Sequence, residues 1–182
     1  MDELIKVTNL AKYFDTPRGK LHAVDKVSFS VQKGSTLGVV GESGCGKSTL
    51  GRTLLRLLEP TSGTVEFEGI DITAFKRRGL KDFRKQAQII FQDPYSSLNP
   101  RLTVSEIIAE PLIVNHTHGN KADMDKAVFR MMEMVGLAAR MVNTYPHELD
   151  GGRRQRIGVA RALVLGPKFV VGDEPVSALD AP

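Results

Sequence analysis

The chain has 182 residues, 41% of them hydrophobic and 25% charged, with a formal net charge of +4. That is the composition of a soluble globular chain long enough to bury a core as one domain with a subdomain. No apolar run approaches the ~18 residues of a membrane span, Met1–Lys6 does not read as a signal peptide, the single cysteine, Cys45, excludes an internal disulfide and suits the cytosol, and so mild a charge is no argument for nucleic acid.

Residues 4–14 and 22–31 alternate as strands, with a turn at Gln32-Lys33-Gly34. Residues 35–40 (STLGVV) are short, apolar and bounded by glycine, the pattern of a buried parallel strand. A glycine-rich loop, Gly41–Gly46, leads into a predicted helix over 47–58 that stops before Pro60. Short strands are expected at 64–67 and 69–72, then a basic helix over 76–85 with a solvated face. An apolar strand follows at 87–91. Thr103-Val-Ser-Glu106 reads as a capping box opening a helix that ends before Pro111. The histidines of Asn115–Asn120 have no third metal ligand in view and read as exposed loop residues. A helix over 122–135 places Met124, Val128, Met131 and Val135 on one face, and Gly136 ends it. A further helix follows Gly151-Gly152 to about Leu165, and residues 168–172 form a last apolar strand ending in Asp173-Glu174. Strands alternating with helices imply a parallel α/β sheet, with the all-helical block 93–141 inserted on it.

Gly41-Glu42-Ser43-Gly44-Cys45-Gly46-Lys47-Ser48 fits G-x-x-x-x-G-K-[ST] in full, between a strand and a helix. Glycines let successive amides curl around phosphate oxygens. Lys47 reaches the β- and γ-phosphates, and Ser48 offers a hydroxyl to Mg²⁺. The helix start, through Thr49, adds a favourable dipole. Asp173, at the end of an apolar strand, suits Mg²⁺ and its waters. Glu174 beside it suits an attacking water.

With Gln92 after an apolar strand, the Gly-Gly helix, Asp173-Glu174-Pro175 and Ser177-Ala-Leu-Asp180 in that order, the chain resembles the ATP-binding cassette ATPases. Phe91–Arg101 (FQDPYSSLNPR) and Tyr145–Leu149 (YPHEL) resemble the dipeptide and oligopeptide importer branch. The resemblance implies a P-loop NTPase sheet core with an N-terminal antiparallel β subdomain and a helical insertion. The expected segments are 1–92, 93–145 and 146–182. It implies ATP and Mg²⁺ as cofactors, with Ser48, Gln92 and Asp173 at the metal, and Glu174 as catalytic carboxylate with Gln92, which would touch Mg²⁺ or the attacking water and sense the transmembrane partner. Phe14 would stack on adenine, with Tyr13 as the alternative. Asp93–Arg101 would lie near the groove for a transmembrane permease subunit. A second ATPase subunit would sit head to tail, its ATP meeting Asp150, Gly151, Gly152, Arg153 and Asp180 of this chain. The implied place is the cytoplasmic face of the membrane. A cassette working on nucleic acid is disfavoured by the Asp93–Arg101 stretch. The family pattern continues past Asp180 with a histidine-bearing loop, so the resemblance also implies a C-terminally truncated chain, marginally stable and weakly active alone.

The family stretch Leu-Ser-Gly-Gly-Gln is here Leu149-Asp150-Gly151-Gly152-Arg153. Aspartate caps a helix as well as serine, and Arg153 is within reach to neutralise it; on that reading function is intact. The other reading is a degenerate half-site in a heterodimer, because an ionised Asp150 repels a phosphate, and an alternative is a subunit that binds nucleotide without hydrolysing it. Cys45 lies inside the phosphate loop, so alkylating it is expected to block nucleotide binding, with ATP protecting. Modification at equal rates with and without ATP would contradict this.

Overall fold

The computed structural model describes residues 2–117 and 119–174. The chain forms two compact units, Met1–Arg84 and Lys85–Pro182.

The first unit is built on a long antiparallel hairpin, β1 (Glu3–Thr16) and β2 (Gly19–Gln32). With β3 (Ser62–Phe67) and β4 (Ile70–Asp71) it makes a sheet of order β2-β1-β3-β4. The alternation of β1 is not continuous. Ile5 and Val7 are buried, and then Leu10 and Ala11 are buried in succession. The ladder slips between Val7 and Leu10, where Asn9 takes a left-handed φ of 48°. Such a bulge exchanges the faces of the strand beyond it. Gly63 of β3 packs against it, where a Cβ would lie 2.3 Å from the Asn9 carbonyl oxygen.

Helix α1 (Lys47–Leu54) stops short of the expected Leu58. The cause is Arg56, which adopts φ 52° and turns its side chain inward to 7% exposure. Its guanidinium donates to the carbonyls of Ile72 and Thr73 and pairs with Glu59 at 2.6 Å. Helix α2 (Arg77–Gln86) buries only Phe83, edge-on to Phe67 at 5.2 Å, and leaves Arg77, Arg78 and Lys81 in water. Residues 35–40 are not the buried strand expected. They carry no strand structure, and Leu37, Val39 and Val40 are exposed, Val40 to 96%. An apolar parallel strand is stable only when flanked by strands that pair with it, and the ladder of this unit does not include the segment.

The second unit holds the parallel pair β5 (Ala87–Ile90) and β6 (Phe169–Gly172), in register from Ala87 opposite Phe169 to Ile90 opposite Gly172. Among the described residues it is accompanied by the α-helices α3 (Pro94–Ser97), α4 (Val104–Asn115), α5 (Lys121–Met134) and α6 (Gly151–Leu163). The capping box forms as expected, Thr103 accepting from the Glu106 amide while the Glu106 carboxylate accepts from Thr103 N–H at 2.7 Å. The helix does not end before Pro111 but runs on to a left-handed His116. Proline removes one helical donor; burial of Ile107, Ile108 and Leu112 around it offsets that loss. On α5 the fully buried pair is Val128 and Met132, while Met124, Met131 and Val135 pack at the cluster's edge. The cluster joins Val104, Ile107 and Ile108 of α4 to Ile157 and Ala160 of α6.

Ile157→Ala should lower stability by about 2–5 kcal/mol, since it empties a fully enclosed site. Phe129→Ala, on a side chain 44% exposed, should cost under about 1 kcal/mol. Urea midpoints check both.

Candidate functional site

The glycine-rich loop ends on Gly46, the N-cap of α1, in a left-handed conformation at φ 100°. No side chain caps the first turn of α1 and no acidic residue lies in it. The leading amides of a helix have no partner within it, and with no cap or acid here the helix dipole favours an anion. The Lys47 ammonium folds back over the loop and donates to the carbonyls of Gly41 and Glu42 at 2.8 and 2.9 Å. It thereby closes the loop into a ring. Cys45 is exposed, its Sγ beside Gly41. Ser43, Gly44, Ser48 and Thr49 complete the curve.

In the second unit β6 ends at Gly172, and Asp173 follows at 7% exposure, its amide donating to the Ile90 carbonyl at 2.9 Å. Glu174 comes next, exposed and in a left-handed conformation at φ 49°. Non-glycine residues held there cost energy and concentrate at functional sites. Gln92, just past β5, donates from Nε2 to Glu174 Oε2 at 2.7 Å. The parallel pairing of β5 and β6 thus brings together the two residues the sequence assigned to catalysis. Among the described residues no group of three or more His, Cys, Asp or Glu surrounds a metal position. A hydroxyl (Ser48), an amide oxygen (Gln92) and one carboxylate (Asp173) are hard oxygen donors. Each is a donor type that Mg²⁺ accepts, an ion that binds largely through substrate phosphates and water.

At the Gly-Gly helix, Asp150 caps α6 by accepting from the Arg153 amide at 2.8 Å. Its other oxygen lies 3.4 Å from Arg153 Nε. Both features of the milder reading are present, so the carboxylate is turned onto its own helix. Gly151 and Gly152 form the first turn beyond it. Asp150, Gly152, Arg153 and Arg156 border a cavity of about 310 Å³. Asp180 lies outside the described residues.

The segment Asp93–Arg101 is tied down by contacts its sequence did not announce. Asp93 caps α3, and hydrogen bonds from Ser96 and Tyr95 hold its carboxyl below the usual range. The Arg154 guanidinium lies 4.0 Å over the Tyr95 ring while its Nε donates to the Pro146 carbonyl at 2.6 Å. Arg161 donates to the Ser97 carbonyl, also at 2.6 Å. Of the two candidate base-stacking residues, Phe14 carries Lys12 Nζ 4.9 Å from its ring centre. Tyr13 is stacked on His22, a neighbour visible only once the hairpin register is known.

A family model described as ABC transporter matches residues 24–177. The oligopeptide transport ATP-binding protein OppF of Bacillus subtilis (strain 168) is 51% identical over 180 residues, covering 98% of this chain and 59% of that protein. OppF of Streptococcus mutans is 48% identical over 179 residues, covering 98% and 58%. The chain therefore spans less than two thirds of the curated relatives it matches. Among solved structures, the dimeric post-hydrolysis state of the ATP-binding cassette MJ0796 bound to ADP and Pi superposes with a TM-score of 0.90 at 29% identity, covering 97% of this chain and 76% of that one. CbiO1 from Clostridium perfringens, part of the transporter complex cbiONQ, gives 0.82 at 27% identity, covering 99% and 68%.

The tightest steric constraint at the loop is Gly46, where a Cβ would stand 2.0 Å from the Ala23 carbonyl oxygen at a φ that side chains avoid. Gly46→Ala should cost about 1–3 kcal/mol of stability and abolish nucleotide binding. Unaltered binding in a titration of the folded variant would contradict this.

Proposed function

The chain belongs to the ABC transporter family, and on that premise we propose that it binds and hydrolyses ATP to drive a membrane importer of peptides or related small solutes. The observation that carries this reading is the phosphate loop, where the uncapped start of α1 and the Lys47 ammonium meet in one small curve. The importer assignment is supported by the relatives named for oligopeptide transport.

In this reading the amides of Gly44–Ser48 take the β- and γ-phosphates, and Lys47 exchanges its loop carbonyls for phosphate oxygens. Mg²⁺, which offsets charge on the phosphate oxygens, is assigned to Ser48, Gln92 and Asp173. Glu174 accepts a proton from the attacking water or orients it. Gln92, hydrogen-bonded to Glu174, fixes the carboxylate and transmits the state of the permease. No helix among the described residues is long and apolar enough to cross a membrane. The membrane partners are transmembrane permease subunits docking near Asp93–Arg101, and the chain works from the cytoplasmic face. A second ATPase subunit completes a head-to-tail dimer, a reading supported by the dimeric structure of MJ0796.

We also propose a heterodimer in which this chain's signature serves a slow or merely binding site, because a carboxylate stands at Asp150 where the family stretch has serine. Two like unit charges at ~4 Å cost about 4 kcal/mol at an effective dielectric of 20. The neighbouring Arg153, 3.4 Å from Asp150, offsets part of that cost but does not replace the hydroxyl donor.

Lys47→Ala should abolish magnesium-dependent ATP binding by calorimetry; retention of wild-type affinity would overturn the proposal. Asp150→Ser combined with Arg153→Gln should raise ATPase turnover in the assembled transporter severalfold. Unchanged turnover would leave Asp150 as a helix cap alone.

A further inference from the structure

We propose that the cationic face of α2 is a docking surface for an anionic lipid leaflet. The proposal goes beyond the nucleotide chemistry above and takes from that reading only the place of work, the cytoplasmic side of a membrane. Within α2 (RRGLKDFRKQ) the residues Arg77, Arg78, Lys81, Arg84 and Lys85 are basic and Asp82 alone is acidic. Lys76 directly precedes the helix. At about 100° per residue, the basic side chains of the helix fall in a stripe about 120° wide, centred near Lys81. Asp82 lies outside the stripe, and Phe83, the buried side chain of the helix, lies opposite it. Phe83 packs edge-on against Phe67, and that anchor turns the stripe outward.

Two observations separate this stripe from an ordinary solvated face. Lys76, Arg77, Arg78 and Lys81 are exposed, and among the described residues none of their side chains has a hydrogen bond or an ion pair. The helix also carries these charges at a cost to itself. Arg77 and Arg78 open it, with no acidic residue in the first turn, where the dipole disfavours cations. Arg77 and Lys81, and again Lys81 and Lys85, are like charges one turn apart, which repel. Local stability does not account for the arrangement, whereas an anionic partner does. Long side chains on one exposed helical face carry charge without fixed geometry, which suits a plane of mobile headgroups. No aromatic ring stands within the stripe to stack a base, as single-stranded nucleic acid would use. Each basic residue near an anionic leaflet is worth roughly a fivefold gain in partition, so the unpaired cations together reach several hundredfold.

The test is co-sedimentation of the protein with vesicles of phosphatidylcholine alone and of equal parts phosphatidylcholine and phosphatidylglycerol. Binding is expected to the anionic vesicles only, and concentrated salt should release it. Arg77→Gln, Arg78→Gln and Lys81→Gln together should weaken it on the order of 100-fold. The same loss of charge on exposed α5, by Lys121→Gln, Lys126→Gln and Arg130→Gln together, should change it little. The α2 variant should keep or raise its urea midpoint, since self-repulsion is relieved. No binding to anionic vesicles, equal losses in the two triple variants, or a lowered midpoint that shows the stripe to serve the fold would overturn the proposal. So would polyglutamate taking the α2 face in preference to the vesicles, which would assign the stripe to an acidic protein segment. ATP binding by calorimetry should be the same in the α2 variant and the unsubstituted protein, so failure of the nucleotide reading is a separate result.

Discussion

The structure depends on the backbone amides at the start of α1, where no side chain caps the helix. Every helix exposes such groups at its N-terminus, and leaving them unsatisfied is costly when they are buried. This chain closes the beginnings of α3, α4, α5 and α6 with the side chains of Asp93, Thr103, Asn120 and Asp150. At α1 it places Gly46 instead, which offers no side chain. The amides there point into a loop whose ring is held by Lys47, and the hairpin β1–β2 braces it at Ala23. An anion at this place satisfies the donors, pairs the ammonium and meets the positive end of the helix dipole at once. The fold of the first unit supplies the support for that one curve.

The two glycine-bearing helix starts, α1 and α6, illustrate opposite uses of the same physics. At α6 the chain's own carboxylate takes the Arg153 amide, and the Arg153 side chain adds a local counter-charge. A phosphate approaching it must displace or face Asp150, whereas at α1 it faces only amides and a lysine. That contrast, rather than the departure from a consensus, is the physical basis for assigning the two ends different roles.

Features set by neighbours in sequence were legible before the structure. The phosphate loop, the capping box at Thr103–Glu106 and the Gly-Gly helix capped by Asp150 depend on residues within a few positions of one another. Features set by distant partners were not. Residues 35–40 have the apolar pattern of a central strand, but pattern cannot supply the flanking strands such a segment needs. Arg56 reads as a polar residue late in a helix, and only the positions of the Ile72 and Thr73 carbonyls make it a buried anchor that ends the helix early. The bulge at Asn9 lies inside an otherwise regular alternation, and it decides which side chains face the core. The stacking of Tyr13 on His22 needs the hairpin register. The pairing of Gln92 with Glu174 needs β5 beside β6, although their resemblance-based roles already suggested it.

The most direct measurement follows the backbone amides themselves. In ¹H–¹⁵N spectra of the protein titrated with ATP and Mg²⁺, the account predicts large, saturable shifts concentrated on Gly44, Cys45, Gly46, Lys47 and Ser48. Smaller shifts should appear in the hairpin around Ala23. Shifts confined to other parts of the chain, or none in a well-folded sample at millimolar nucleotide, would contradict it.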